Sequence, residues 1–303
     1  MLVVGDVIND VLVQAPWPLA LGDDNPAVIR SRPGGSAANQ AAWLAELGMD
    51  VVFAGRAGAR DAEFHRRELA RFGVEPRLAA DESVPTGTIV VLVGPDGERT
   101  MITDRGANLR LRRADVPDGL LDGAAALHLT GYTFCEPPLL EVALWLLGEA
   151  RARELAVTID PGSAAFLARL EPAAFLRWTE GAAVCFPNRD EAAVLTGQPD
   201  PLAMAVRLTR HYGVVVVKLG REGCVLATAG EAPVLIAAHP ARATDTTGAG
   251  DAFCGAFMSR WLSAGPSAGR AARPPADLLA AAEFATQVAA TVVTRFGARP
   301  VHP

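Results

Sequence analysis

Short apolar, β-branched runs alternate with longer helical patterns along almost the whole chain, and this alternation restricts the fold more than any other feature of the sequence. Leu2–Gly5, Val51–Gly55, Ala125–Leu129, Ala156–Ile159, Ala183–Phe186 and Val214–Lys218 read as strands with apolar side chains on both faces. Such strands belong in a sheet covered on both sides. Between them, Ser36–Leu47, Ala62–Phe72, Pro137–Arg153, Pro201–Tyr212 and Asp251–Ala264 have helical periodicity, and Ala276–Thr294 adds another helix. The pattern predicts βαβ units and an α/β fold whose central sheet is mostly parallel and flanked by helices. One region departs from it. Thr86–Val93 and Glu98–Thr103 are strands joined by Gly94-Pro95-Asp96-Gly97, a hairpin without a helix, which Asp10–Gln14 could join. Both faces of Thr88–Val93 are apolar, so a small sheet there needs cover on each side: substrate on one and a partner subunit on the other. Gly265–Pro275 reads as a Pro- and Gly-rich surface loop.

The 303 residues suffice for two domains, or for one large α/β unit with an appendage. Charge removes whole classes of partner. There are 28 basic against 34 acidic residues, a net charge of −6, and Lys218 is the only lysine. Blocks of like charge are absent, which argues against general attraction to nucleic acid or anionic membranes and for a discrete small-molecule site. The hydrophobic fraction of 50% excludes intrinsic disorder. No stretch approaches the roughly 18 consecutive apolar residues of a membrane span. The first residues run straight into a strand without the pattern of a signal peptide, so a cytoplasmic location is expected. Cys135, Cys185, Cys224 and Cys254 lie far apart and read as buried, reduced thiols instead of zinc ligands or disulfides.

The strongest chemical signal is Asp245-Thr246-Thr247-Gly248-Ala249-Gly250-Asp251, a small-residue turn feeding a helix whose apolar face includes Phe253, Phe257 and Trp261. Backbone N–H groups at a helix start are unpaired and favour an anion. Gly248 and Gly250 let the anion approach the backbone closely. A carboxylate at the same spot, Asp251, then implies a base or a cation ligand. The structural alternative is Asp245 or Thr247 as an N-cap and Asp251 as a favourable first-turn acid.

This segment is similar to the carboxy-terminal signature of the ribokinase-like (pfkB) carbohydrate kinases. Pro33-Gly34-Gly35-Ser36-Ala37-Ala38-Asn39 resembles the amino-terminal signature of that family, and Asn188-Arg189-Asp190-Glu191 its N-x-x-E motif. Gly131, Asp160-Pro161-Gly162, Lys218-Leu219-Gly220 and Thr294–Ala298 fall in the same order, so the resemblance spans essentially the chain. It implies one ribokinase-like domain over 1–303, with lid segments at 10–32 and 86–105.

By that resemblance Asp251 is the catalytic base, and Gly248, Ala249, Gly250 and the Asp251 N–H form an anion hole for the transferring phosphoryl group. Asp10, Gly34, Gly35 and Asn39 are implied to hold a sugar. Ile8 stands where relatives place an Asn, and neighbouring Asn9 is a possible substitute. Asn188 and Glu191 are implied to organise Mg²⁺ through water, although the same spacing makes a capping box. Asn188, Lys218, Gly220, Gly223 and Thr246 are assigned to ATP, with Lys218 also readable as a solvated strand end. Asp245 and Gly297 are candidates for a monovalent cation such as K⁺. Arg105 either holds an anionic acceptor or makes an interdomain salt bridge, and His128 reads as a core histidine.

The expected activity is ATP-dependent transfer of the γ-phosphate to a hydroxyl of a small sugar or sugar derivative, by a homodimer joined through the lid. A nucleoside kinase on the same fold is the nearest alternative, kept open by Trp17, Trp43 and Tyr132. A sugar-acid or sugar-phosphate kinase using Arg105 is another. A nicotinamide oxidoreductase lacks its G-x-G-x-x-G after Leu2–Gly5, and the only lysine lies outside any P-loop pattern. A catalytically dead relative is disfavoured by the retained Asp251, Asn188 and Glu191.

Overall fold

The computed structural model describes residues 1–94, 99–263 and 275–301; the turn at 95–97 and the loop at 265–274 lie outside the described residues. The strands are β1 (Leu2–Val4), β2 (Ile8–Gln14), β3 (Val28–Gly34), β4 (Val52–Gly58), β5 (Glu75–Asp81), β6 (Thr86–Val93) and β7 (Arg99–Gly106). They continue as β8 (Ala126–Thr130), β9 (Ala156–Asp160), β10 (Val184–Cys185), β11 (Val214–Lys218), β12 (Cys224–Thr228) and β13 (Val234–Ile236). The helices are α1 (Ser36–Glu46), α2 (Ala59–Ala70), α3 (Pro137–Ala152), α4 (Ala164–Arg169), α5 (Pro172–Thr179), α6 (Arg189–Thr196), α7 (Pro201–Leu208), α8 (Ala249–Ser263) and α9 (Pro275–Val292).

Nine strands form one sheet in the order β13-β12-β11-β10-β9-β8-β1-β4-β5, parallel from β5 through β11 and antiparallel across β12 and β13. Alternation along the strands divides its core in two. Leu2, Val4, Leu127 and Leu129 pack with α3 and α5 side chains such as Leu146 and Phe175 on one face. Val3, Phe53, Val184 and Val216 meet Leu44 of α1, Phe257 of α8 and Ala285 of α9 on the other. The expected doubly covered parallel sheet is present. Among the described residues no helix is long and apolar enough to cross a membrane. All four cysteines are free, Cys185, Cys224 and Cys254 buried and Cys135 half-buried. His128 is buried in β8 with Nδ1 on Thr158 Oγ1 at 2.8 Å.

A second, four-stranded sheet has the order β3-β2-β6-β7. As expected, Asp10–Gln14 joins the hairpin, as part of β2 and parallel to β6, and β7 ends later than the sequence suggests, at Gly106. β3 is an addition: Val28-Ile29-Arg30-Ser31-Arg32-Pro33-Gly34 lacks strand-like alternation, yet it pairs along all of β2. Asp10 lies directly opposite Arg32 and beside Ile89. Pro33 is tolerated because β3 is an edge.

The close crossing of α1 and α8 positions the site. A Cβ on Gly255 would fall 2.7 Å from Trp43 Cβ, so only glycine lets the two helices approach this far. Their contact brings the first turn of α1 beside the first turn of α8. Gly255→Val should therefore lower stability by about 1–3 kcal/mol through overpacking, read as a lower urea midpoint.

Candidate active site

Gly35 is the N-cap residue that precedes α1, and its φ of 95° disfavours a side chain. No side chain at Ser36 caps it. The Asp6 carboxylate, arriving from the end of β1, accepts N–H bonds from Ser36 (3.3 Å) and Ala37 (3.1 Å) instead. Ser36 is thereby released to face α8, where its hydroxyl donates to Asp251 Oδ1 at 2.7 Å. Asn39 Nδ2 donates to Asp251 Oδ2 at 3.0 Å, and Gln40 Nε2 to Oδ1 at 3.2 Å. Three side chains on one turn of α1 thus fix the Asp251 carboxylate. Burial pushes its pKa up to about 6 against the pull of these donors.

The α8 turn departs from the sequence expectation in one detail. Ala249 N–H turns back to the Thr246 carbonyl at 3.3 Å, so Ala249 does not face open space. The Gly250 and Asp251 N–H groups have no acceptor among the described residues. Gly248 has a φ of +75°, and a Cβ there would lie 2.4 Å from Ala298 Cα. Gly250 is different: a Cβ would meet only Lys218 Nζ, at 3.7 Å. Asp245 is not the cap of α8 but builds the turn ahead of it. Its Oδ1 accepts from Thr247 N (2.9 Å) and Thr247 Oγ1 (2.6 Å), and its Oδ2 from Gly297 N (3.1 Å).

Lys218 ends β11 and points inward. Its Nζ lies 3.2 Å from both Asp160 oxygens and 3.5 Å from Cys254 Sγ. Burial works against its charge, but Asp160 holds its pKa above the ordinary lysine value. The reading of a solvated strand end is set aside by this geometry. A cavity of about 350 Å³ opens from Lys218 along Gly220, Gly223, Thr246 and Gly250 to an apolar end at Ala241, Ala289 and Val293. Every residue assigned to ATP except Asn188 lines it. Asn188 forms a parallel β-bridge with Lys218 just beyond the end of β10. With Glu191 it forms a full capping box: Asn188 N and Nδ2 donate to the two Glu191 oxygens at 2.8 and 2.6 Å, and Glu191 N donates to Asn188 Oδ1 at 2.9 Å. Glu191 is buried, which raises its pKa to about 7 although Lys218 opposes the rise.

On the lid side, Asp10 packs on Gly34, where a Cβ would come within 2.0 Å of its Oδ2. Burial, then Asp6 and Asp251, raises the Asp10 pKa to about 7 against Arg299. Asn9 does not stand in for the missing Asn, because Asp61 Oδ2 (2.7 Å) and His65 Nε2 (2.9 Å) engage its amide. Arg105 makes the interdomain salt bridge, Nη1 to Asp6 Oδ2 at 3.3 Å, and lies 3.5 Å over the Tyr132 ring. Trp43 is buried with Nε1 donating to the Ala298 carbonyl, so it is no platform for a base.

Sequence reasoning missed Ser36 and Gln40 as partners of Asp251, although positions 36 and 40 share a helix face. It also missed Arg299. This guanidinium donates from Nε to Asn39 Oδ1 (3.0 Å) and from Nη2 to the Gly34 carbonyl (3.0 Å), fixing which end of the Asn39 amide faces Asp251. Burial lowers its pKa to about 10.

Comparisons with known proteins agree with the fold. An ATP-dependent ribose-1-phosphate kinase from Halopiger xanaduensis is 30% identical over 306 residues, 99% of this chain and 93% of the relative. The adenosine kinase structure from Sinorhizobium meliloti superposes with a TM-score of 0.86 at 24% identity, covering 99% of this chain and 95% of that one. A putative ribokinase II from E. coli, solved with ATP and Mg²⁺, gives 0.82 at 20% identity, covering 98% and 93%. The sequence pattern of the pfkB family carbohydrate kinases matches residues 1–303, and with the fold and the Asp251 turn in place this chain belongs to that family.

Proposed function

We propose that the protein transfers the γ-phosphoryl group of ATP to a hydroxyl of a small sugar or sugar derivative, with Asp251 as the base. The observation that carries the reading is the Asp251 carboxylate, held by three donors from α1 next to two unpaired N–H groups on the edge of the Lys218 cavity. ATP lies in that cavity, its purine at the apolar end and its phosphates toward Gly250. The open space at Gly250 admits the γ-phosphate, and Lys218 provides a fixed positive charge behind it. Asp10 and Asn39 orient the acceptor over Gly34 and Gly35. Its hydroxyl oxygen bonds to the γ-phosphorus as the bond to the ADP oxygen breaks, and the hydroxyl proton passes to Asp251. The Gly250 and Asp251 N–H groups donate to the phosphoryl oxygens as charge moves across them.

The donors near Asn188 fit a metal that arrives with the nucleotide. Among the described residues no group of three or more His, Cys, Asp or Glu could hold an ion, and both Glu191 oxygens already accept from Asn188. Such a site suits a hard ion that keeps most of its water. Mg²⁺ bound there would neutralise phosphate charge, with Asn188 and Glu191 steadying its waters. The four-stranded sheet serves as the lid and excludes water on closing.

The acceptor side favours a sugar over a nucleoside. The lid face that carries Asp10 offers Leu12, Ile89, Val91, Met101 and Thr103, without an aromatic to stack a base among the described residues. An ADP-release screen over pentoses, ketohexoses, sugar acids, sugar phosphates and nucleosides tests this, run with and without potassium for the site expected at Asp245. Release with sugars or their derivatives is expected; release with nucleosides alone overturns the choice.

The opposite face of the lid carries Val11, Val13, Ile29, Val90 and Ile102, with Ile29 and Ile102 62% and 59% exposed. We place a second copy of the chain there. Sedimentation velocity should show a dimer that Ile102→Glu shifts toward monomer, and a wild-type monomer at micromolar concentration rules it out.

A further inference from the structure

Asp160 is left without a role by the transfer reaction, yet it links the base to the wall of the nucleotide cavity. It ends β9 and is buried. Both its carboxylate oxygens lie 3.2 Å from Lys218 Nζ, and Oδ2 also accepts from Gln40 Nε2 at 2.8 Å. The same Gln40 nitrogen donates to Asp251 Oδ1 at 3.2 Å. A continuous polar chain therefore runs from the lysine that lines the cavity, through Asp160 and Gln40, to the base.

The Gln40 amide is oriented by two acids at once. Its Oε1 is buried without a partner among the described residues, a state that burial penalises. Turning the amide over would aim that oxygen at two carboxylates, so Asp160 and Asp251 together keep the nitrogen where it is. Sharing one nitrogen puts the two carboxylates within about 6 Å, close enough for the charge of one to act on the ionisation of the other. Lys218 offsets the charge of Asp160. Around this chain, Asp10 of β2 and Arg299 of the C-terminal segment also face Asp251, and Glu191 at the start of α6 acts on Lys218 and Asp160. Burial keeps His128 of β8 and Cys254 of α8 neutral.

We propose that Asp160 is a positioning residue for the transfer: it holds the Gln40 amide against the Asp251 carboxylate, and Lys218 serves as its counter-ion as well as a charge behind the phosphates. This rests on the kinase reading above and deepens it, because the lysine of the nucleotide cavity then acts on the base that attacks from the acceptor side. Charge balance fixes the sign of each change. Neutralising Asp160 removes a negative charge from beside Asp251 and favours its ionised form. Neutralising Lys218 leaves Asp160 uncompensated and disfavours it. A pair that merely fills the interior would move the titration of Asp251 in neither direction.

The test follows kcat/KM against pH at saturating ATP·Mg²⁺, with whichever of ribose, fructose and ribose 5-phosphate gives the fastest ADP release. Wild type is compared with Asp160→Asn, Lys218→Met, Gln40→Met and the double variant Asp160→Asn/Lys218→Met. The acid limb should move down by about one pH unit in Asp160→Asn and up by about as much in Lys218→Met. Either single change strands a buried charge, so the charge-balanced double variant is the control for folding, and its limb should return toward wild type. Gln40→Met should lower kcat about 10-fold with the KM for ATP unchanged. Acid limbs that coincide in wild type and both single variants overturn the proposal, as does a Gln40→Met enzyme with wild-type kcat. Failure of the kinase reading looks different: no ADP forms with any acceptor. Urea unfolding at pH 5 and pH 8 then decides the linkage alone, each protein being paired with its Asp251→Asn counterpart. The stability that Asp251 removes between these pH values should be smaller in Asp160→Asn and larger in Lys218→Met than in wild type, and equal losses in all three overturn it.

Discussion

Asp251→Asn is expected to lower kcat by about 10²- to 10⁴-fold, the range over which a positioned base contributes to proton transfer. The fold should survive. The Asn oxygen can keep the bond from Asn39, the Ser36 hydroxyl can rotate to accept from the new amide, and Gln40 Nε2, which loses its acceptor at Oδ1, keeps Asp160 Oδ2 at 2.8 Å. Stability should hold or rise, because the buried Asp251 carboxyl has its pKa raised to about 6. A carboxyl whose pKa is raised by folding favours the folded state in acid and loses that contribution as pH climbs through the folded value. Removing the charge removes the loss. Comparable Tm values at pH 8 with kcat down by two orders or more would match; a substantial remaining kcat would refute a base at this position. The same groups set the pH profile. Asp251 must be ionised to accept a proton, and Asp10, raised to about 7, interacts with it. In wild type, kcat/KM should climb between about pH 5 and 8 and level off above, with apparent values belonging to the pair.

Gly250→Ala should give effects of opposite sign on stability and activity. Only Lys218 Nζ stands within 4 Å of the new methyl group, so the protein accommodates it. Alanine also has the higher helix propensity by about 1 kcal/mol, and Tm should not fall. The methyl group fills the space proposed for the γ-phosphate, however, and turnover should drop about 10²-fold, on the scale of losing an oxyanion-hole donor. Gly248→Ala is the control. There the Cβ collides with Ala298 Cα at 2.4 Å in a backbone with φ +75°, so stability and activity should fall together. A Gly250→Ala protein with wild-type turnover would remove the phosphoryl group from this turn.

Local pattern made much of the molecule legible. The apolar runs at Val214–Lys218 and Leu2–Gly5, the hairpin and the α8 segment all read correctly because period and punctuation lie within a few neighbouring residues. β3 was hidden because Arg30, Ser31, Arg32 and Pro33 form an exposed edge that no core pattern disciplines. β5, at the far edge of the large sheet, was missed for the same reason. Within the site, the residues that carry a motif were found, whereas those that hold them were not. Arg299 and Asn39 are 260 residues apart, and a contact of that span leaves no trace in spacing. Asp6 illustrates the converse: it is adjacent to a strand end like any ligand-binding acid, yet its charge is consumed by the α1 N–H groups and Arg105.

The most direct measurement follows the phosphoryl group itself by ³¹P NMR, with ATP, Mg²⁺ and each acceptor class, for wild type and Asp251→Asn. The expected result is one phosphorylated sugar derivative formed per ADP by wild type, and almost none by Asp251→Asn. Inorganic phosphate in place of a phosphorylated acceptor, or product from Asp251→Asn at the wild-type rate, would contradict phosphoryl transfer with Asp251 as the base.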